Sequence, residues 1–106
     1  MRIISRSRLK AFWQASARQA NTQKPLRQWY KLVVGSTFKT PADVKRLFGK
    51  NVDFVQVKSG NTVAVFNIHG NQYRLIAALH YDYPRAFVLR ILTHQEYDLN
   101  RWKDEL

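Results

Sequence analysis

The side chains best suited to handling a phosphodiester are concentrated in one stretch, Asn67 to Asp98, which reads NIHGNQYRLIAALHYDYPRAFVLRILTHQEYD. Asn67, His69, Asn71, Tyr73 and Arg74 come before or at the start of its first apolar run, and Arg90, Thr93, His94, Glu96 and Tyr97 at the end of its second. To move an RNA phosphodiester onto its own 2′-hydroxyl, a protein must take that proton, stabilise charge on the phosphate and protonate the leaving 5′ oxygen. Arginine has the fork that phosphate accepts. Histidine titrates in the range that acid or base work needs, and tyrosine can orient or donate. Arg74, His94 and Tyr97 are therefore the candidate catalytic residues. No metal is required for that route. With no cysteine and three scattered histidines, the chain has no metal-ligand pattern, and no cofactor is expected.

These groups meet only if the chain folds back on itself. The runs Leu75 to Leu79 and Phe87 to Leu92 flank Asp82-Tyr83-Pro84-Arg85, which reads as a β-hairpin. Alternation along a strand makes Asn67 and His69 one set, Arg74, Ile76, Ala78 and His80 another, and Val88, Arg90, Leu92 and His94 a third. If Ala86 pairs with Asp82 across a three-residue turn, Arg74 stands opposite His94; a slip of one residue would put them on opposite faces.

The preceding chain supplies the scaffold. Met1 to Ile4 is long enough for a short strand, after which Ser5-Arg6-Ser7 offers capping hydroxyls. Leu9, Phe12, Trp13 and Ala17 fall on one helical face, with Arg6, Arg8, Lys10, Gln14 and Arg18 largely outside it. Asn21-Thr22 interrupts. Pro25 then suits a first helical turn, and Leu26, Trp29, Tyr30 and Val33 repeat the spacing before Gly35, so the two helices form a hairpin. Thr40-Pro41-Ala42-Asp43 announces a third helix with Val44, Leu47 and Phe48 inward and Gly49 as its stop. After Asn51 the period changes to two: Val52, Phe54 and Val57 form a strand, Lys58-Ser59-Gly60-Asn61 a turn, and Thr62 to Ile68 a second strand. Thr93-His94-Gln95-Glu96 has the form of a capping box, so a last helix starts near His94 with Tyr97 and Trp102 inward. The expectation is a single α+β domain over residues 1–106, its N-terminal helices packed on one face of a four- to five-stranded, mainly antiparallel sheet, with a short C-terminal helix. The other face is left free for a ligand.

Composition narrows the partners. With 45% hydrophobic residues the chain is globular, and no apolar run approaches the ~20 residues of a membrane span. The N-terminus MRIISRSRLK has no apolar secretion region, so a cytoplasmic protein without a membrane partner is expected. The net charge is +11, and residues 1–50 carry twelve Lys and Arg against the single acid Asp43, whereas residues 51–106 carry six of each sign. A one-signed basic surface draws polyanions, nucleic acid first. A merely solubilising surface would mix both signs.

The segments VFNIHGNQYRLIAAL and FVLRILTHQEYD also resemble the HigB family of bacterial toxins within the wider RelE-like superfamily; F-N-x-x-G-N-x-x-R-L and T-H-x-E-Y-D are the specific part. The resemblance implies a RelE-like fold and a metal-independent, ribosome-dependent mRNA endonuclease. Its implied partners are the ribosome, through rRNA and mRNA, and a HigA-like helix-turn-helix antitoxin that holds it inactive. By position it places function on Asn67, Asn71, Arg74, His94 and Tyr97. The RelE-like pattern carries lysines on the strand equivalent to Thr62–Ile68, and here that strand has none. The base and phosphate duties then fall to His69 or to Lys50 and Lys58. With Arg90, these complete the candidate RNA-binding set of Asn67, His69, Asn71, Arg90, Lys50 and Lys58.

Each residue also has an ordinary structural reading. Arg74 can pair with Glu96 or Asp98, His94 can be a first-turn helix residue, Glu96 a capping residue, and Asn71 a turn former. His80 reads as packed or solvated, and Trp13, Trp29 and Trp102 as core. Two rival functions follow from the same charge: a non-catalytic RNA-binding module, which would bind RNA in a salt-sensitive way without cleaving it, and a protein-interaction domain that receives an acidic partner.

Overall fold

In a computed structural model describing residues 1–106, the chain forms one five-stranded sheet with helices on both faces. The elements are β1 (Arg2–Ile4), α1 (Ser7–Gln14), α2 (Gln23–Val34), α3 (Pro41–Phe48), β2 (Val52–Gln56), β3 (Thr62–Ile68), β4 (Tyr73–His80), β5 (Arg85–Thr93), α4 (His94–Asp98) and α5 (Arg101–Glu105). The strand order is β1-β5-β4-β3-β2. β2 to β5 form an antiparallel meander, while β1 adds to β5 in parallel.

Period-two alternation divides the sheet into two working faces. Val52, Ala64, Phe66, Tyr73, Leu75, Ala77 and Val88 point to one side and pack with Leu9, Leu26, Trp29, Val33 and Val44 of the first three helices. Phe66 is fully buried at its centre and meets Trp29 and Phe48 edge-on, at 5.4 and 4.8 Å between ring centroids. Truncating a buried aromatic of this kind costs ~3–5 kcal/mol. The opposite face holds a smaller cluster in which Trp102 of α5 covers Val57, Val63, Val65 and Ile76. The expected free face is thus half covered. Burial of the indole against four apolar side chains closes one end and leaves the end near Asn67 and Arg74 open.

Local signals explain most element boundaries. α3 starts with the capping box of Thr40 and Asp43, and α4 with that of Thr93 and Glu96; both have the reciprocal side-chain and backbone bonds. Arg6 precedes α1 and makes no side-chain cap bond, so the expected serine cap does not form, and α1 ends at Gln14, short of Ala17. Leu47 is exposed rather than inward, whereas its neighbour Phe48 turns in against Phe66.

The β4–β5 register differs from the expectation. His80 pairs with Arg85 at the turn, and Arg74 stands opposite Leu92, not His94. The pairing shifts between Ile76–Arg90 and Ala77–Val88, which leaves Leu89 as an extra, bulged residue. Its effect is to reverse parity along β5. Val88 faces the N-terminal helices, whereas Arg90 and Leu92 face the other side, so they do not form one set.

Candidate active site

Asn67 and Arg74 are direct cross-strand partners on β3 and β4, on the face away from α1 to α3. α4, capped by Thr93 immediately after β5, lays Tyr97 beside them: the Arg74 guanidinium sits 5.6 Å from the centre of the Tyr97 ring. Tyr97 is in turn stacked on Trp102, with ring centroids 5.2 Å apart. Asn67, Arg74 and Tyr97 line a cavity of about 390 Å³ together with Lys45, Lys50, Val52, Asp53 and Val65.

Arg74 is a buried cation without a carboxylate partner. Its Nη2 donates to Asn71 Oδ1 at 2.6 Å and its Nη1 to the carbonyls of Asn71 and Tyr73 at 3.2 and 3.1 Å. The ion pairs of the chain join Asp43 with Arg46, Glu105 with Arg90, and Asp98 with His94. Arg74 therefore does not pair with Glu96 or Asp98. A buried guanidinium held only by neutral oxygens keeps its charge available to an anion.

The cavity also governs Tyr97. Burial first, and the nearby Asp53 carboxylate second, push its hydroxyl above the ordinary tyrosine value of 10.0; Arg74 pulls the other way. The group is a neutral O–H donor under any physiological condition.

The remaining candidates take different places. Lys50 lies in the cavity. His94 opens α4 but is not among the cavity-lining residues; its backbone N–H donates to the Gln72 carbonyl at 3.0 Å and its Nδ1 is 2.7 Å from Asp98 Oδ2. His94 and Tyr97 are nonetheless i, i+3 neighbours on one short helix. His69 and Gly70, both with positive φ, make the β3–β4 turn above the cavity, and Asn71 follows. Arg90 points to the same face but donates to the Leu89 carbonyl and Glu105. Lys58 sits in the β2–β3 turn at the far end of the sheet, where its N–H meets the Lys103 carbonyl at 3.0 Å. No three His, Asp or Glu side chains cluster closely enough to hold a metal ion.

Lys45 and Asp53 are cavity residues that the sequence reading passed over. Asp53 did leave a signal, as the one acid alternating with Val52 and Phe54 in β2. Lys45 left none, because only the packing of α3 beside β2 brings its Nζ to the Val52 carbonyl at 2.8 Å.

On the opposite side of the molecule a groove of about 490 Å³ runs between α1 and α2. It is lined by Arg6, Lys10 and Arg27 with Trp13 and Tyr30, and the Arg6 and Arg27 guanidinium groups lie 4.9 and 5.6 Å from the Tyr30 and Trp13 ring centres. Trp13 is thus half-buried groove wall, whereas Trp29 and Trp102 are core.

Residues 22–100 match the family described as HigB toxin, RelE-like toxic component of a toxin-antitoxin system. A protein of Escherichia coli O6:H1 (strain CFT073) named mRNA interferase HigB is 31% identical over 98 residues, spanning 92% of this chain and 89% of its own. The mRNA interferase toxin HigB of Escherichia coli K12 is 27% identical over 90 residues, 80% of this chain and 84% of its own. The mRNA interferase HigB of Shigella flexneri shows the same identity and coverage.

Proposed function

The chain belongs to the HigB family of RelE-like toxins, the toxic component of a toxin-antitoxin system, and from that premise we propose that it is an mRNA interferase acting at the cavity around Arg74. The observation that carries this reading is the convergence of a buried, carboxylate-free guanidinium, a neutral tyrosine hydroxyl and an amide on one concave end of the sheet. Arg74 takes the scissile phosphate, where each charge-assisted bond is worth ~1.5–3 kcal/mol. Tyr97 and Asn67 position the RNA, and His94, one helical turn from Tyr97, serves as acid or base. Lys50 adds positive potential at the rim; His69 and Asn71 overhang it, and Arg90 and Lys58 extend the basic surface beyond it. The route as proposed assigns no step to a metal ion.

The partners follow from the charge distribution. The basic groove between α1 and α2 grips ribosomal RNA on the side away from the cavity, so that cutting depends on the ribosome. The family implies an antitoxin partner, a HigA-like helix-turn-helix protein in this reading. The setting is cytoplasmic; no helix is long and apolar enough to cross a membrane. Primer extension on a defined mRNA, with translating ribosomes and with the same RNA free, tests the function. The expected result is discrete cuts only on translated message. Equal cutting of free RNA refutes the ribosome dependence, and binding without cuts under both conditions refutes catalysis in favour of an RNA-binding module.

A further inference from the structure

We infer that Asp53 is the general base of the cleavage reaction. This rests on the reading of the chain as an mRNA interferase and supplies the proton acceptor that the lysine-free β3 strand lacks.

Asp53 reaches the site through the sheet register. It pairs with Val65, which pairs with Ile76, and Arg74 is two residues from Ile76 on the same strand. With strands ~4.8 Å apart and ~3.4 Å per residue along them, the Cα atoms of Asp53 and Arg74 are separated by roughly 12 Å on one face. Both side chains line the same cavity, with Val65 as the apolar floor between them. A nucleotide entering there meets a guanidinium from one side and a carboxylate from the other.

The carboxylate is also uncommitted. None of the chain's ion pairs includes Asp53, although Lys45, Lys50 and Arg74 line the same cavity. Its Oδ1 accepts only the N–H of its neighbour Phe54, at 3.0 Å, so acceptor capacity remains for a substrate hydroxyl. An acid present only for structure would close on one of those cations.

The other lining groups are poor acceptors of a proton. A lysine ammonium has donors only, and the Lys45 Nζ is already bound to the Val52 carbonyl. An amide such as Asn67 is not basic, and Tyr97 keeps its proton. Asp53 takes the 2′-hydroxyl proton as the 2′ oxygen attacks phosphorus. Arg74 holds the non-bridging oxygens, and the bond from phosphorus to the 5′ oxygen breaks. That oxygen leaves with a proton from His94, giving a 2′,3′-cyclic phosphate and a 5′-hydroxyl, after which the proton returns from Asp53 to His94 through solvent. Base and acid then sit on β2 and α4, on either side of the phosphate-binding strand.

The test compares wild type with Asp53→Asn, Asp53→Ala and Asp53→Glu on translating ribosomes bearing a defined mRNA. Cleavage rate, ribosome co-sedimentation and thermal melting are measured for each. Asparagine and alanine should lower the cleavage rate by roughly 10²- to 10⁴-fold with co-sedimentation unchanged. Asn can still accept the Phe54 N–H, so melting is preserved in that variant. Glutamate should restore a measurable part of the rate. Cleavage by Asp53→Asn within tenfold of wild type overturns the assignment while leaving the interferase reading intact. So does a loss matched by lost ribosome binding. Wild type that leaves translated mRNA uncut overturns both.

Discussion

Arg74 is held from behind by the residue three positions before it, and this changes what Asn71 is for. In the sequence Asn71 counted as an RNA-binding candidate or a turn former; in the fold its Oδ1 takes the Arg74 Nη2 at 2.6 Å. Asn71→Ala removes that stop and lets the guanidinium swing. Since ångström-scale misplacement costs on the order of 10²-fold, growth inhibition on expression should weaken by a factor approaching that. Unchanged toxicity would show that Arg74 needs no such support. Tyr97 gives a pH signature of its own. Its hydroxyl is pushed up chiefly by burial and then by Asp53, so the folded state favours the neutral form. The stability this contributes is fully present below the ordinary value of 10.0 and is lost as pH climbs through the raised value of the folded protein. Tyr81, also raised by burial, adds to the same alkaline fall. Melting temperatures followed from neutral to strongly alkaline pH should therefore decline less steeply in Tyr97→Phe than in wild type.

At the scale of elements, α4 and the bulge in β5 decide whether the residues meet. α4 spans only His94–Asp98, too short to persist without its cap, and it carries both His94 and Tyr97. Thr93→Ala removes the side chain that accepts the Glu96 N–H at 3.1 Å. That should cost about 1 kcal/mol, a drop of a few degrees in melting temperature. Cleavage should fall further than stability alone accounts for, which parallel melting and primer extension would separate. The starts of α3 and α4 were legible in the sequence because a capping hydroxyl and an acid three residues on mark each of them locally, the second as a capping box. The bulge at Leu89 was not, since an extra residue in a strand leaves no local mark when its neighbours are apolar. Its carbonyl, freed from the ladder, instead accepts the Arg8 and Arg90 side chains, both at 2.8 Å.

Across the whole molecule, the sheet separates the two halves of the charge pattern. Its N-terminal side bears the groove of Arg6, Lys10 and Arg27, and its other side the cavity of Arg74 and Tyr97. Lys10→Glu with Arg27→Glu should weaken ribosome co-sedimentation and flatten its salt dependence, while the cavity stays intact. An unaltered salt slope would place the ribosome contact elsewhere.

The sequence by itself determined the element types, the helix starts at Thr40 and Thr93, and the one-sided charge. Each of these depends on residues close together in the chain or on simple counts. Tertiary structure alone decided which distant residues face one another: that Arg74 meets Leu92 rather than His94, that Trp102 closes half of the second face, and that Lys45 and Asp53 join the cavity. Pairing register and helix packing are set by cooperative burial across the whole sheet, and no short stretch of sequence contains them.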